Sequence, residues 1–551
     1  MKFGDTPVGA AAGAVLAHGV RAGRAVFKKG RVLTAADVAA LEAAGIASVV
    51  AARIEPGDVT EDEAARRIAA AVQGPNLTAT APFTGRCNLY AETRGVAVLD
   101  RERLDRLNLL DEAITVATVP PYDVVEPRQM VATIKIIPFA VPASVLAACE
   151  AVAKDGGPLL GVAPFRPKAA ALIQTTLPGL KPKVLDSTAD ATRLRMESLG
   201  GHLLAETRCG HRTEDLTGAI KAALGRKADI VLISGASAIT DRRDVIPAAI
   251  ERAGGRVIHF GMPVDPGNLI LLGKIGETPV LGLPGCARSP KLNGFDWLLQ
   301  RLMADVPVTA ADIMRLGAGG LLKEIPSRPL PRAEAEAERQ AAAAAAPRAP
   351  RIAAIVLAAG LARRMGSNKL LAPIEGVPMV ARAVDAALSS QAEPVIVVVG
   401  NEAERVKAAL AGRDVTFVAN PDFAEGLSAS LKRGIAAVPA TSDGALVCLG
   451  DMPRVAASDL DRLIAAFNPV EGRAICVPVR EGKRGNPVLW GRRFFAEILG
   501  VAGDVGAKHL IGAYPEAVAE VAMDGDGVLI DIDTPQALAE LSLAKANAAP
   551  G

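Results

Sequence analysis

Between residues 326 and 350 the chain reads PSRPLPRAEAEAERQAAAAAAPRAP, a run of Pro, Ala, Arg and Glu with no large apolar residue after Leu330. A segment of that composition cannot bury enough surface to offset its own ordering entropy, so it reads as a linker rather than part of a core. The chain must therefore fold as at least two bodies. Its length of 551 residues points the same way, since domains run to roughly 100–200 residues each. The expected division is an N-terminal region over 1–155, a second domain over 156–322, the linker over 323–351 and a C-terminal domain over 352–545.

After the linker, continuous apolar runs of strand length alternate with helical patterns: IAAIVLAA (352–359), PVIVVVG (394–400), GALVCLG (444–450) and AICVPV (474–479). Strands covered by helices on both faces read this way, which predicts a parallel α/β sheet with crossover connections. Before the linker, ADIVLISG (228–235), GRVIHFG (255–261) and TPVLGLPG (278–285) predict the strands of a second such unit, with VIPAAIERAGG (245–255) a helix closed by glycine. In the first 150 residues the pattern predicts helices over 34–45 and 61–72 and one strand over 132–141. The region is mixed α/β.

Charge and composition exclude several classes. Lys+Arg 62 against Asp+Glu 60 leaves a net charge of +2, without the basic excess that a nucleic-acid partner demands. The six cysteines are scattered and include no CxxC pair, which excludes a zinc ribbon and fits free thiols in a reducing cytosol. The longest apolar stretch, 136–153, is broken by Pro138, Pro142 and Glu150 and cannot span a bilayer; Asp5 and Pro7 precede any apolar run, unlike a signal peptide. The expectation is a cytoplasmic protein with neither membrane nor nucleic acid as partner.

Chemistry is most legible just after the linker. The strand at 352–359 runs into LAAGLARRMGSNK (357–369). Gly360 would let backbone N–H groups approach an anion, and Arg363, Arg364 and Lys369 would place cations along a triphosphate. The alternative is a glycine turn followed by a solvated basic helix. The GxxxxGK[ST] phosphate loop is absent. Farther on, LVCLGDMP (446–453) sets Asp451 at the end of a buried strand, where ligands bind in open α/β sheets and where one carboxylate can share Mg2+ with phosphates and water. A turn cap is the bland reading of the same residue. In LIDIDTPQAL (529–538), Asp533 is either a second Mg2+ ligand or the cap of a helix opening at Pro535.

Taken in order, these motifs resemble the molybdopterin nucleotidyltransferases of the nucleotide-diphosphosugar transferase superfamily. LAAGLARRMGSNKLL is similar to the family's opening signature, and its Ala-Ala-Gly form to the cytidylyltransferase branch, where the guanylyltransferase branch usually has Ala-Gly-Gly. NPDFAEGLSASL (420–431), CLGDMPRV (448–455), GNPVLW (485–490), GDVGAKHLI (503–511) and DIDTP (531–535) follow in the family's order. Ala362 stands where a small hydroxyl residue or glycine is common, and Asn486 where many relatives have His. The resemblance implies a Rossmann-like fold, CTP as nucleotide donor, molybdopterin as acceptor, and Mg2+. It implies Leu357, Ala358, Ala359, Gly360, Asn420, Gly426 and Ser428 around the nucleotide, Arg364 and Lys369 on the triphosphate, and Asp451 and Asp533 on the metal. Gly485, Asn486 and Pro487 would face the pterin.

The second domain resembles the molybdopterin-binding domain of molybdenum-insertion proteins through ISGASAITDRRDVIPAAI (233–250), GMPVDPGN (261–268) and LGLPGCARSPKLNGFDWLL (281–299). This implies a three-layer α/β/α fold and a pterin site drawing on Gly235, Ser237, Asp241, Asp244 and Gly285. The lone Gly235 and Cys286–Ala287 depart from the family's Gly-Gly and Asn-Pro. Together the resemblances imply an enzyme of molybdenum cofactor biosynthesis that transfers CMP to a molybdopterin bound by the front half, with a recipient molybdoenzyme or its chaperone as partner. A different phosphorylated acceptor such as a sugar phosphate, and a non-enzymatic pterin carrier, remain as alternatives.

Overall fold

The computed structural model describes residues 1–23, 25–322, 348–360, 368–501, 507–532 and 536. In the N-terminal region, Thr34 opens the helix Ala35–Ala43 through a reciprocal capping box with Asp37. The helix Glu61–Val72 begins on three acids, which complement its positive end. That helix and Ala143–Lys154 pack through Ile68, Val72 and Leu146 onto an antiparallel sheet ordered Ile114–Thr118, Met130–Ile136, Arg86–Ala91, Leu77–Ala79. The single strand expected over 132–141 is two strands, Met130–Ile136 and Ala140–Pro142, in different sheets. Pro138 lies between them and has no N–H to give a ladder. Leu160–Pro164 pairs with Gly95–Leu99, so the sheets place the first division after Pro164 rather than at 155.

The second domain is a sheet of β1 (Ala169–Thr176), β2 (His202–Gly210), β3 (Ile230–Ser234), β4 (Arg256–Phe260), β5 (Leu271–Ile275) and β6 (Thr278–Leu283), in the order β2-β1-β3-β6-β5-β4. Strand residues alternate between two cores. Ala170, Leu172, Ile230 and Leu232 face α1 (Pro182–Ser198) and α4 (Gly294–Met303). Ala171, Ile173, Val231 and Ile233 face α2 (Thr213–Gly225) and α3 (Val245–Arg252). The result is the expected three-layer α/β/α arrangement. Its parallel part ends at β6, because β5 runs antiparallel to both β6 and β4.

In the C-terminal domain, β7 (Ile352–Ala358), β8 (Val395–Val399), β9 (Thr416–Ala419) and β10 (Gly444–Leu449) are parallel, in the order β9-β8-β7-β10. Alternate residues of β7 again serve two cores: Ala354 and Val356 on one face, Ala353 and Ile355 on the other. The fully parallel sheet expected here is interrupted beyond β10. There β11 (Ile475–Arg480) folds back through β12 (Lys483–Arg484) into β13 (Val488–Gly491), which inserts antiparallel between β10 and β11. The connection is too short for a crossover helix, and only an antiparallel return is open to it. The strand order reverses between β7 and β10, which defines the switch point of this sheet.

Most of the expected linker lies outside the described residues, but its end is fixed. Arg348 pairs with Gln129 in a β-bridge and grips Asp443 through both guanidinium nitrogens at 2.9 and 3.0 Å. Arg128 donates to the Pro350 carbonyl at 2.7 Å, and Arg473 stacks over Phe83 at 5.4 Å. A cavity of about 910 Å³ lies in this seam, at the amino ends of β7, β8 and β10, away from the carboxyl edge. On its other side the N-terminal region meets the second domain, where Arg301 stacks over Tyr122 at 4.0 Å. Among the described residues no helix is long and apolar enough to cross a membrane.

Candidate active site

At the carboxyl edge of the C-terminal sheet, β7 delivers Leu357 and Ala358 as its last residues, and Ala359 and Gly360 follow. Leu357, Ala358 and Ala359 are buried and Gly360 is exposed. A Cβ on Gly360 would meet open space and its φ is not left-handed, so the backbone itself does not demand glycine here. Arg363 and Arg364 lie outside the described residues. Lys369 re-enters on a short turn, Lys369–Leu371, capped by Asn368. Its Nζ sits 2.6 Å from Asp451 Oδ2, with the two side chains only 14 and 20 % exposed. The structure thus joins two residues whose sequence motifs are far apart, at the switch point where a nucleotide would lie.

The neighbours of Asp451 come from the end of the domain. Ile532 N–H donates to the Asp451 carbonyl at 3.1 Å; Asp533 lies outside the described residues. Pro487 lines a small apolar pocket with Leu449 and Met452, next to Asp451. Gly485 is required by close packing, since a Cβ there would lie 2.1 Å from the Val528 carbonyl, and Asn486 N–H donates to that carbonyl at 2.9 Å. Gly426 opens the helix Leu427–Ala436 at φ 107°, a conformation that side chains avoid. Asn420 is 1 % exposed, and its amide is committed inside the protein: Nδ2 donates to Ser430 Oγ at 3.0 Å and Oδ1 accepts from Asp422 N–H at 3.1 Å. It braces the loop before Gly426. Ser428 is buried in the first turn of the helix.

A single strand-end carboxylate is a donor that Mg2+ accepts when phosphates and water complete its shell. Among the described residues no group of three or more His, Cys, Asp or Glu is placed to hold a metal ion unaided. Burial pushes the Cys448 thiol up to about 12 and raises that of Cys286 above its ordinary value.

The second domain builds a crevice of its own at the carboxyl ends of β1, β3 and β6. Arg195, buried on α1, is held by Asp296 at 2.6 Å and donates to the carbonyls of Ala287 and Ser289 at 3.0 and 2.6 Å, fastening the turn Gly285–Arg288. Arg288 donates to the Gly235 carbonyl at 2.7 Å, Ala236 N–H donates to Thr175 Oγ1 at 2.8 Å, and that oxygen lies 2.8 Å from His211 Nδ1. One hydrogen-bonded chain therefore runs along the rim from β6 to β2. Gly235 belongs to it, and Gly285 opens the turn that Arg195 fastens. Ser237 is exposed beyond it. Asp241 and Asp244 are in the loop ahead of α3. Asp241 pairs with Arg243 at 2.9 Å, and Asp244 accepts the N–H groups of Thr240 and Asp241 at 2.6 and 3.0 Å. The Arg243 hydrogen bond lowers the Asp241 carboxyl and the Thr240 N–H lowers that of Asp244. Both carboxylates serve their own loop. Sequence reasoning missed Thr175, Arg195, His211 and Arg288; the hydroxyl pair closing ALIQTT (171–176) was the available signal.

Comparison with known proteins divides the chain along the same lines. Residues 354–518 match the MobA-like NTP transferase domain, residues 174–304 the "Probable molybdopterin binding domain", and residues 5–53 a domain of unknown function (DUF8806). The bifunctional protein GlmU of Cupriavidus pinatubonensis is 38 % identical over 116 residues, 20 % of this chain and 25 % of that protein. The chain thus spans about a quarter of that relative's length. The purine catabolism protein PucB of Bacillus subtilis is 29 % identical over 202 residues, 34 % of this chain and 95 % of that protein. Among solved structures, Rv0371c from Mycobacterium tuberculosis H37Rv is 30 % identical, with 35 % of this chain and 99 % of that chain covered, at a TM-score of 0.32.

Proposed function

We propose, from the premise that this chain carries a MobA-like NTP transferase domain behind a molybdopterin-binding domain, that its C-terminal part transfers CMP from CTP to the terminal phosphate of a molybdopterin. Pyrophosphate is the other product. The observation that carries the reading is the Lys369–Asp451 pair at the switch point of the sheet, 2.6 Å apart and shielded from solvent, in one chain with a pterin-binding fold.

In this reading an oxygen of the acceptor phosphate attacks the α-phosphorus of CTP, a new P–O bond forms, and the bond to the bridging oxygen of pyrophosphate breaks. The protein's work is positioning and charge stabilisation. Asp451 would hold Mg2+ together with nucleotide phosphates and water, and the ion supplies charge neutralisation on those phosphates. Lys369 would turn from Asp451 to the phosphates with Arg364 and take up charge on the leaving pyrophosphate. Asp533 would be a second metal ligand, and Gly485, Asn486 and Pro487 the wall on the acceptor side. Residues 156–322 would bind the pterin, residues 1–155 would hold the two bodies in place, and a cytoplasmic molybdoenzyme or its chaperone would take the product.

Base choice tests the donor. The Ala358–Ala359–Gly360 sequence, similar in form to the cytidylyltransferase branch, motivates CTP over GTP as donor. With equimolar CTP and GTP competing in the presence of molybdopterin, the cytidylylated product should dominate. A guanylylated product would overturn the assignment of CTP.

A further inference from the structure

In the second domain the chain leaves β1 toward one face of the sheet and β3 toward the other, so the crevice between them is its switch point. Thr175 stands there, 1 % exposed, with its Oγ1 accepting Ala236 N–H at 2.8 Å. A buried hydroxyl that accepts one hydrogen bond must still place its own proton. Among the described residues the acceptor within its reach is His211 Nδ1, at 2.8 Å. Nδ1 therefore accepts, and the ring proton resides on Nε2. Ring geometry turns Nε2 away from Thr175, and His211, on the loop leaving β2, is only half-buried. Along the same rim Arg288 donates to the Gly235 carbonyl and Thr176 Oγ1 to the Cys209 carbonyl, at 2.7 and 3.0 Å.

We infer that Thr175 locks His211 as its Nε2–H tautomer and that this N–H donates to a phosphate oxygen of the ligand held by the second domain. The inference rests on the pterin-binding reading for the identity of that ligand, but not for the tautomer. Thr175 is a positioning residue; His211 is the one that touches the ligand.

The test uses the full chain labelled with 15N at its five histidines, with the His211 resonances assigned by their loss in His211→Gln. Without ligand, long-range 15N–1H correlations should show the proton on Nε2. A proton on Nδ1, or a rapid mixture of tautomers, would overturn the lock. Thr175→Val should abolish the preference and Thr175→Ser should keep it; a tautomer unchanged in Thr175→Val would also overturn it. Molybdopterin and, separately, inorganic phosphate are then titrated while Nε2 is followed. A shift with both supports a phosphate contact on the pterin. A shift with phosphate alone supports the contact and removes molybdopterin as the ligand. No shift with either overturns the contact. Molybdopterin affinity should fall about tenfold in His211→Gln and Thr175→Val, the scale of one hydrogen bond, and recover in Thr175→Ser. Equal affinity across the three variants would overturn the role of both residues.

Discussion

Asp451 and Lys369 pair at 2.6 Å, so each holds the other at the switch point of the sheet. Asp451→Ala should therefore lower turnover by roughly 10²–10³, the scale of losing one preorganised electrostatic group, while thermal unfolding stays cooperative. Turnover at the wild-type level would reduce the carboxylate to a counter-ion for Lys369. Both residues were legible in the sequence, because glycine- and charge-rich strand ends are where α/β sheets do chemistry. Thr175 and His211 were not, because their meeting depends on which strand lies beside which. Glu61 was equally silent. Burial holds its carboxyl at about 7 from an ordinary 4.5, against the opposing pull of Lys135 at 3.9 Å. A carboxyl raised on folding keeps its proton where the unfolded chain has lost it, so stability falls as pH rises from 4.5 to about 7 and is flat above. Glu61→Gln should raise the Tm at pH 8 and leave it nearly unchanged at pH 4.5. An equal change at both values would contradict the burial argument.

At the scale of elements, the apolar runs identified β7, β8 and β10 because both faces of each are covered, and the alternation of Ala353, Ala354, Ile355 and Val356 between two cores is the physical form of that signal. The insertion of β13 was hidden. Its sequence, VLW, is as apolar as its neighbours, and only the length of the connection shows that it must run antiparallel. Gly485 sits at this irregularity, against the Val528 carbonyl. Gly485→Ala should cost about 1–3 kcal/mol of stability, as overpacking does, and should displace Asn486 from the Val528 carbonyl and Pro487 from its pocket with Leu449 and Met452. Denaturant unfolding read alongside the KM for the acceptor checks both effects. A stable variant with an unchanged KM would show that the 485–487 segment does not form the acceptor wall.

For the whole molecule, composition reads 326–350 as a linker, and it could not show that Arg348 and Pro350 would anchor to Asp443 and Arg128. The seam, more than the tether, then sets how the domains meet. Proteolytic cutting within 326–347 should leave coupled transfer intact over a dilution series, whereas the same cut in Arg348→Ala or Asp443→Ala should make activity fall on dilution. Equal behaviour of cut wild type and cut variants would return the coupling to the linker. The C-terminal domain should also keep transfer activity alone, since its two cores draw almost wholly on residues after 351, Phe83 being the exception. The central claim concerns the acceptor, and pyrophosphate release is its most direct measure. The full chain is given CTP and Mg2+ with molybdopterin, with a simple sugar phosphate, or with neither. The account predicts release only with molybdopterin. Release with the sugar phosphate and none with molybdopterin would contradict it.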